Sequence, residues 1–335
     1  MTHFDVGKLP HALLDKCLKK IVSSDPRVIV GPRLGEDAAV IDMGDRYLVV
    51  TTDPITFTEE RIGWYGVSVN ANDVATMGAK PCWFLATLLL PEGRTDERLV
   101  ELIFDDILES CQALDVTLCG GHTEITAGLT RPILVGQMMG EVVKDRLVMP
   151  SRIVPGDAVL LTQGIAIEGT AILAAEKGEV LSDSIDSGLI SRARGFLDDP
   201  GISVVRAALT ACAAVDVHGM HDPTEGGIAT GLWELAQACG HGLRIDEDAV
   251  PVFPETEAFG KVLGLDVWGL IASGALLIVV AAGESERAIS ALSEEGIPCT
   301  RVGSVVSAEE GLSIVRGGKK MPLRPFARDE LARIL

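Results

Sequence analysis

The sequence predicts an α/β protein of two domains, and three observations support this fold class. The chain has 335 residues, 47% of them hydrophobic, and this length exceeds the size at which a single hydrophobic core keeps growing. Runs typical of strands alternate along it with runs typical of helices. The stretch MPSRIVPGDAVLL places two prolines and a Pro-Gly-Asp turn before a new strand, which sets a boundary near Ser151. The predicted domains are residues 1–150 and 151–335.

Local patterns predict the individual elements. An early helix, LLDKCLKKIV, contains Cys17, which we expect in the core. The most regular helix spans residues 99–114 and carries an apolar stripe opposite its acids. The stripe consists of Val100, Ile103, Phe104, Ile107, Leu108, Cys111 and Leu114. Short β-branched runs bounded by Gly, Pro or Asp predict strands at RYLVVTT, RPILVGQMMGEV, DAVLLT and ALLIVVAA.

Composition excludes several classes of partner. No apolar run approaches the roughly 20 residues of a membrane-spanning helix, and the start MTHFDVGKLP lacks a secretory signal, so we expect a cytoplasmic protein without a membrane partner. The formal net charge of -19 repels nucleic acid. The seven cysteines include no CxxC pair, which argues against a disulfide framework or a zinc site and predicts reduced, mostly buried thiols.

A hairpin is predicted in GEDAAVIDMGDRYLVVTTDP, where two apolar runs flank Gly44-Asp45. A three-residue loop centred on Asp45 places Asp37 opposite Asp53, and a two-residue loop shifts this register by one. Two carboxylates that face each other across a strand pair repel, and a bound cation would remove this repulsion. Magnesium binds one or two protein carboxylates together with substrate phosphates. Two interpretations are open: a metal site, or two solvated strand ends.

The stretch NANDVATMGAK, residues 70–80, places polar amides inside a predicted helix over 66–78. Asn70 and Asp73 lie one turn apart on the same face, so Asp73 adds a third carboxylate to the hairpin acids. The small residues of the stretch permit close approach to a neighbouring backbone; they are Ala71, Ala75, Gly78 and Ala79. The alternative interpretation is tight helix packing, with Asn72 as a capping residue.

Two glycine-rich stretches lie at predicted element junctions. LCGGHTEI follows an apparent strand, so Gly120 and Gly121 are expected to expose backbone amides beside Thr123 and Glu124. HDPTEGGIATGLWELAQACG predicts a helix with Asp222, Pro223, Thr224, Gly226 and Gly227 in its first turn, and a helix N-terminus binds anions. The alternative for both is a simple turn.

The order and separation of these motifs carry a resemblance to a known family. GEDAAVI, TTDPITF, NANDVATMGAKP, GGHTE and DPTEGG together resemble the family of aminoimidazole ribonucleotide (AIR) synthetase, thiamine-monophosphate kinase, selenophosphate synthetase and the hydrogenase maturation factor HypE. The resemblance covers nearly the whole chain. NxNDxxxMGAxP and DPTxGG are most similar to the HypE branch.

This resemblance implies a two-domain α/β fold whose N-terminal halves form a shared β-barrel in a homodimer, with a C-terminal α/β domain. It implies ATP and magnesium as cofactors and phosphorylation of an oxygen of a small substrate. The implied magnesium ligands are Asp37, Asp53, Asp73 and Asp222. The implied nucleotide-binding residues are Asn70, Asp73, Gly120, Gly121, His122, Thr123, Asp222, Thr224, Gly226 and Gly227.

The chain departs from the family pattern at three places. His122 stands where the HypE and thiamine-monophosphate kinase loops have an aspartate, so we expect it to contact phosphate as a cation or to leave the metal to Glu124. Leu335 stands where HypE has a terminal cysteine that carries the carbamoyl group, and leucine has no nucleophile. Cys17 lacks the glycine-rich loop expected of a selenophosphate synthetase.

Three functions therefore compete. The first is an ATP- and magnesium-dependent enzyme acting on an unidentified small molecule, with the loop 163–170 expected to help line its pocket. The second is a HypE-type hydrogenase maturation protein that works with a separate thiol carrier. The third is a non-catalytic nucleotide-binding regulator. A transition-metal site at His218, His221 and His122 is a weaker alternative.

Overall fold

The structure is a computed structural model that describes residues 4, 9–21, 24–33, 35 and 37–334. These residues form two compact units. The small unit comprises Asp25–Gly31 and Asp37–Leu147, and the large unit comprises the described residues within Met1–Ser24, Pro32–Glu36 and Val148–Leu335. The first helix, α1 (His11–Leu18), belongs to the large unit. Mixed α/β structure with two sheets confirms the predicted fold class, while the predicted domains 1–150 and 151–335 stay predictions.

A six-stranded sheet forms the centre of the small unit, in the order β1-β2-β3-β6-β4-β5. Neighbouring strands are antiparallel, except that β4 and β5 run parallel. The strands are β1 (Val28–Val30), β2 (Ala39–Asp42), β3 (Arg46–Ile55), β4 (Lys80–Pro91), β5 (Thr117–Thr126) and β6 (Ile133–Val143). The predicted strands RYLVVTT and RPILVGQMMGEV are confirmed as parts of β3 and β6.

Two helices complete the small unit. Helix α2 (Ile62–Thr76) packs on the sheet, and α3 (Glu97–Ala113) packs on α2. The helix and sheet approach closely: a Cβ on Gly140 of β6 would lie 2.4 Å from Cγ1 of Val74. Ala71 and Ala75 are fully buried at this contact, as the small residues of the stretch predict.

The apolar stripe of α3 is narrower than its sequence predicts. Ile103, Ile107 and Cys111 are buried, whereas Phe104 and Leu108 are exposed. Because α3 packs mainly on the single helix α2, only one row of its side chains is covered.

The two faces of the small unit's sheet differ in burial. The face that carries Leu134 and Met138 is fully buried against α2. Apolar side chains of the opposite face are half-buried; they include Leu48, Val50, Leu85, Val135 and Met139. The sheet of one chain is open, so the shared dimeric barrel stays a prediction.

A seven-stranded sheet organises the large unit, in the order β13-β12-β9-β11-β7-β10-β8. Its strands are β7 (Ala158–Thr162), β8 (Val217–His221), β9 (Gly242–Asp246), β10 (Leu277–Val280), β11 (Cys299–Val306), β12 (Ser313–Arg316) and β13 (Lys319–Pro322). Its further helices are α4 (Ile167–Glu176), α5 (Gly178–Ser182), α6 (Ser187–Arg194), α7 (Val205–Ala214), α8 (Gly227–Cys239), α9 (Pro254–Leu263) and α10 (Ser285–Glu294). The predicted strands DAVLLT and ALLIVVAA are confirmed as β7 and β10.

The cysteines are free, as predicted, but their predicted burial is wrong. Cys111 alone of the seven is fully buried, and Cys17 and Cys119 are exposed. Cys17 lies near the end of the short helix α1 on its exposed side, which corrects its expected place in the core. Of the helices in the described part of the chain, none is both long and apolar enough to cross a bilayer.

Candidate functional site

Two predicted acids of the small unit are connected through threonine hydroxyls. Thr51 Oγ1 lies 2.8 Å from Asp73 Oδ2 and 3.1 Å from the carbonyl oxygen of Asp37. Thr76 Oγ1 lies 2.7 Å from the carbonyl oxygen of Asp73 and 3.4 Å from Asp37 Oδ2. The loop before β2, strand β3 and helix α2 therefore bring Asp37 and Asp73 together, as the sequence predicts.

The third acid, Asp53, is positioned by Asn70. The backbone N–H of Asp53 donates to Asn70 Oδ1 at 2.9 Å, and Asn70 Nδ2 donates to the carbonyl oxygens of Asp53 and Gly66 at 3.3 and 2.8 Å. Asn70 is fully buried, and a Cβ on Gly136 would lie 2.4 Å from its Nδ2. The amide thus cross-links α2 to β3, which explains a polar residue inside this helix.

The predicted pairing of Asp37 with Asp53 is wrong. Val40 pairs with Val49 and Asp42 with Tyr47. Asp37 precedes the paired residues, and an extension of this register would place it opposite Thr52 and not Asp53. The loop is the two-residue Gly44-Asp45, closed by a bond from Met43 N to the carbonyl oxygen of Arg46 at 2.9 Å. The shorter loop shifts the register by one residue, which is the alternative that the sequence leaves open.

The acid cluster, defined as Asp37, Asp53 and Asp73, has a donor set that suits magnesium. Its side chains are half-buried and offer carboxylate oxygens, with the hydroxyls of Thr51 and Thr76 holding two of them in place. Hard divalent cations prefer oxygen ligands of this kind. The threonines were not identified from the sequence, although Thr51 lies two residues before Asp53 on the same strand face and Thr76 one helical turn after Asp73.

The GGHTE stretch lies inside strand β5, which corrects the predicted loop. Leu85 of β4 pairs with Gly120 and Phe84 with Leu118, so Cys119 is the extra residue of a bulge. A Cβ on Gly121 would lie 1.9 Å from the carbonyl oxygen of Ala86, so a close strand contact requires glycine there. Gly121 and Ala86 are far apart in the sequence, so the local sequence pattern does not reveal their contact.

His122, Thr123 and Glu124 are exposed on this edge strand. His122 Nε2 lies 3.1 Å from Glu124 Oε2, and Thr126 Oγ1 donates to Glu124 Oε1 at 3.0 Å. These hydrogen bonds lower the pKa of the Glu124 carboxyl, His122 having the larger effect. His122 therefore contacts Glu124, the acid to which the sequence analysis leaves the metal if His122 does not bind phosphate.

In the large unit, the DPTEGG motif is a loop and not the first turn of a helix. Strand β8 ends at His221 and α8 begins at Gly227. Gly226 and Gly227 have φ values of 80° and 65°, a left-handed conformation that delays the start of the helix. The carbonyl oxygen of Thr224 accepts the backbone N–H of Gly227 at 3.0 Å, and Asp222 is buried.

The amide predicted to bind an anion at Gly226 is already bonded. It donates to Asp329 Oδ2 at 2.7 Å, a carboxylate from the C-terminal segment, defined as residues 326–334. This segment packs on the large unit: Leu331 and Ile334 contact a buried core, and residues 330–333 form a 3-10 turn. Leu335 itself lies outside the described residues.

The histidines of the HxxH spacing do not converge. They lie three residues apart on strand β8, where Val279 pairs with Gly219 and Val280 with Val217, so His218 is the extra residue of a bulge and the two rings contact different acids. His218 Nδ1 lies 2.8 Å from Asp157 Oδ2, and His221 Nε2 lies 3.1 Å from Glu234 Oε2. The spacing that brings two histidines together on a helix does not do so on a strand.

Burial makes two of the thiols poor nucleophiles. It raises the pKa of Cys111 to about 11 and that of Cys299 to about 12. Both are therefore neutral near pH 7, and the thiolate is the reactive form.

Comparison with known proteins identifies the family. The model described as AIR synthase related protein, N-terminal domain, matches residues 35–142, and its C-terminal counterpart matches residues 154–315. Carbamoyl dehydratase HypE of Rhodobacter capsulatus is 30% identical over 320 residues, covering 93% of this chain and 90% of that protein. A putative hydrogenase expression/formation protein of Methanocaldococcus jannaschii is 29% identical, covering 86% and 84% of the two chains.

A solved structure shares the fold. The hydrogenase maturation protein HypE, crystallised in complex with ATP, superposes with a TM-score of 0.73 at 24% identity, covering 94% of this chain and 91% of that one. The two matching family models and the relative at 30% identity lead to one conclusion. This chain belongs to the AIR synthase-related protein family.

Proposed function

We propose that this chain is an ATP- and magnesium-dependent enzyme that phosphorylates a carbonyl, amide or phosphate oxygen of a small substrate. The observation that carries the proposal is the acid cluster, in which Thr51 hydrogen bonds to Asp73 and the hydroxyls of Thr51 and Thr76 contact Asp37, near the strand that bears Asp53. A protein that only binds a nucleotide has little use for so many fixed carboxylates. The ATP complex of a family relative with this fold and the name carbamoyl dehydratase of another support the same chemistry.

The proposed reaction is a phosphoryl transfer. The substrate oxygen forms a bond to the γ-phosphorus as the bond from that phosphorus to the β,γ-bridging oxygen breaks, and ADP leaves with the electron pair. The phosphorylated oxygen is then a good leaving group, and its departure as phosphate permits dehydration or attack by nitrogen. Magnesium would be held by the acid cluster and would neutralise phosphate charge, and the same role for Asp222 of the large unit stays a prediction.

We assign the chain's own residues two tasks in this reaction. Asn70 is a positioning residue, because its buried amide bonds both backbone groups of Asp53. Phosphate contacts are proposed for Thr224, Gly226 and Gly227 in the large unit and for Gly120, Gly121, His122 and Thr123 on β5. His122 as a cation paired with Glu124 would suit this task.

ATP turnover against a panel of small amides, carbamoyl compounds, carboxylates and phosphorylated vitamin precursors tests the proposal. We expect at least about tenfold stimulation of ADP release by one of these classes, lost in Asp73→Asn. Tight ATP binding without turnover under every condition would contradict catalysis and favour the non-catalytic regulator.

A second candidate is a HypE-type maturation protein that acts on a carbamoyl group carried by a separate thiol. The names of the relatives favour it, and the raised pKa values of Cys111 and Cys299 disfavour those thiols as carriers. Intact mass after incubation with a carbamoyl-loaded transferase and ATP distinguishes the two. A stable adduct on this chain would contradict the separate carrier.

A further inference from the structure

Two arginines lie on one face of the large unit's sheet. Arg244 belongs to β9 and Arg301 to β11, which are neighbouring interior strands of the seven-stranded sheet. Arg244 pairs with Ser304 of β11, and residues directly opposite each other on neighbouring strands share a face. The serine hydroxyl therefore lies on the same side of the sheet as the Arg244 guanidinium group.

A bulge in β11 brings Arg301 to the same face. Arg301 pairs with Leu160 of β7 and Ser304 with Ala158, and Val302 is the extra residue of the bulge. Leu160 and Ala158 are two positions apart on β7, so they point to the same side of the sheet. Arg301 and Ser304 consequently share a face although they are three positions apart in the sequence.

These side chains line a concave surface with a volume of about 380 Å³. Asp246, two residues after Arg244 on β9, and Val315 of β12 line it as well. The opposite face of the same strands packs on α8, because Leu243 of β9 and Leu232 of α8 belong to one buried core. The concave surface is therefore separated by the sheet from α8, at whose start the proposed function places phosphate.

Both guanidinium groups are unpaired within the described part of the chain. The two side chains are exposed, and no ion pair or hydrogen bond there engages Arg244 or Arg301. Two other cations of the neighbouring strands are already paired with acids: Arg316 with Glu247, and Lys320 with Glu310. In a chain with 48 acidic and 29 basic residues, two unpaired arginines on adjacent strands form a local positive site.

The side chains of this surface match a phosphate group beside an amine. A guanidinium group donates two parallel hydrogen bonds to phosphate oxygens, and the Ser304 hydroxyl supplies a further donor. Asp246 Oδ1 accepts the backbone N–H of Asp248 at 3.3 Å, which leaves lone pairs of this carboxylate for an ammonium group. The two arginines outweigh the single aspartate, so the surface favours a ligand of net negative charge. A phosphate monoester meets this condition better than a carboxylate, because it carries more charge near pH 7.

We propose that this surface is a second ligand site of the large unit, the arginine site, which takes a small phosphorylated amine. Arg244 and Arg301 bind the phosphate group, and Asp246 binds the ammonium group. The arginine site uses no residue of the proposed function and does not depend on it.

Calorimetry with O-phosphoethanolamine as the probe tests the arginine site in the full chain. A chelator is present throughout, so that binding through a divalent cation is not measured. Arg244→Gln and Arg301→Gln each remove one charge from the site, and Arg206→Gln, at an exposed position of α7, is the matched control. We expect each site variant to bind the probe at least about tenfold more weakly than wild type, and Arg206→Gln to bind it equally. Equal affinity in all four proteins, or no binding to wild type at millimolar probe, would overturn the site.

Methyl phosphate, which lacks the amine, tests the contact with Asp246. We expect wild type to bind O-phosphoethanolamine at least about threefold more tightly than methyl phosphate, and Asp246→Asn to lose this preference. Equal affinities of wild type for the two probes would overturn the role of Asp246. Tighter binding of L-glutamate than of O-phosphoethanolamine would overturn phosphate as the recognised group.

Methyl NMR of the wild-type chain decides the proposal if circular dichroism shows that a site variant is not folded. Val315 lines the arginine site, so its methyl signals should shift when O-phosphoethanolamine is added. Val159 of β7 lies in the buried core on the other face of the sheet and serves as the control, with unchanged signals. Val315 signals that do not move at millimolar probe would overturn the site.

Discussion

Thr51 connects strand β3 to helix α2 through its hydroxyl, whose oxygen lies 2.8 Å from Oδ2 of Asp73. The same oxygen lies 3.1 Å from the carbonyl oxygen of Asp37. The single proton of this hydroxyl bonds the closer acceptor, the Asp73 carboxylate, while the backbone of Asp37, an acid remote in sequence, lies within contact distance of the same oxygen. The proposed metal-binding role of the acid cluster depends on this geometry, which leads to the first prediction.

Thr51→Val removes the hydroxyl with little change in shape. We expect Mg-ATP affinity to fall about tenfold, about 1.4 kcal/mol, because Asp73 loses the bond that orients it. The free energy of unfolding should fall by about 1 kcal/mol. Calorimetry and urea denaturation measure the two effects.

Thr52→Val is the matched control for this prediction. Thr52 lies on the opposite face of β3 and donates to the carbonyl oxygen of Gly136 at 2.8 Å, so it also loses one hydrogen bond. We expect a similar loss of stability and unchanged affinity. An equal loss of affinity in both variants would show that Thr51 acts only through the fold.

Asn70→Ala should destabilise the small unit. The change leaves the buried backbone N–H of Asp53 without its acceptor and costs about 2 kcal/mol in the free energy of unfolding, by the typical penalty for an unsatisfied group. Gln112→Ala on the exposed side of α3 serves as control. Equal midpoints of urea denaturation for the two variants would contradict the proposal that Asn70 stabilises the fold by cross-linking α2 to β3.

Several features of the fold were predictable because they are local. The strand β3 follows from a β-branched run and the helix α3 from helical spacing, and both are confirmed. The hairpin register was not fixed by pattern, because apolar runs around Gly44-Asp45 permit two loop lengths that differ by one residue.

Other features depend on contacts between remote parts of the chain. Gly121 lies in a strand because β5 runs close to Ala86, whereas glycine in the sequence alone indicates a turn. Asp329 bonds Gly226 across 103 positions, so no spacing rule anticipates that the predicted anion site is closed by the chain itself. Likewise, the apolar residues around Glu168 in the sequence do not reveal which residues contact its buried side chain.

Self-association through the half-buried face of the small unit's sheet is the third prediction. Apolar side chains such as Val50 and Met139 lie side by side on that face, which is typical of a surface that binds a second copy. Light scattering should give twice the chain mass of 35.4 kDa at micromolar concentration.

Met139→Glu should shift this equilibrium to the monomer, because a charge at the contact is costly to bury. Met43→Glu, at an exposed position next to the hairpin loop, is the control and should remain dimeric. A monomeric wild-type chain would contradict the homodimer.

The central claim is that the acid cluster binds ATP through a divalent cation, and calorimetry on Asp53→Asn tests it most directly. ATP is titrated with magnesium or with excess chelator into wild type, Asp53→Asn and the control Asp45→Asn, which changes an exposed acid in the loop of the same hairpin. We expect wild type and Asp45→Asn to bind ATP only with magnesium, and Asp53→Asn to bind at least about tenfold more weakly, a loss of about 1.4 kcal/mol. Magnesium-dependent affinity that is the same in all three proteins would contradict the claim.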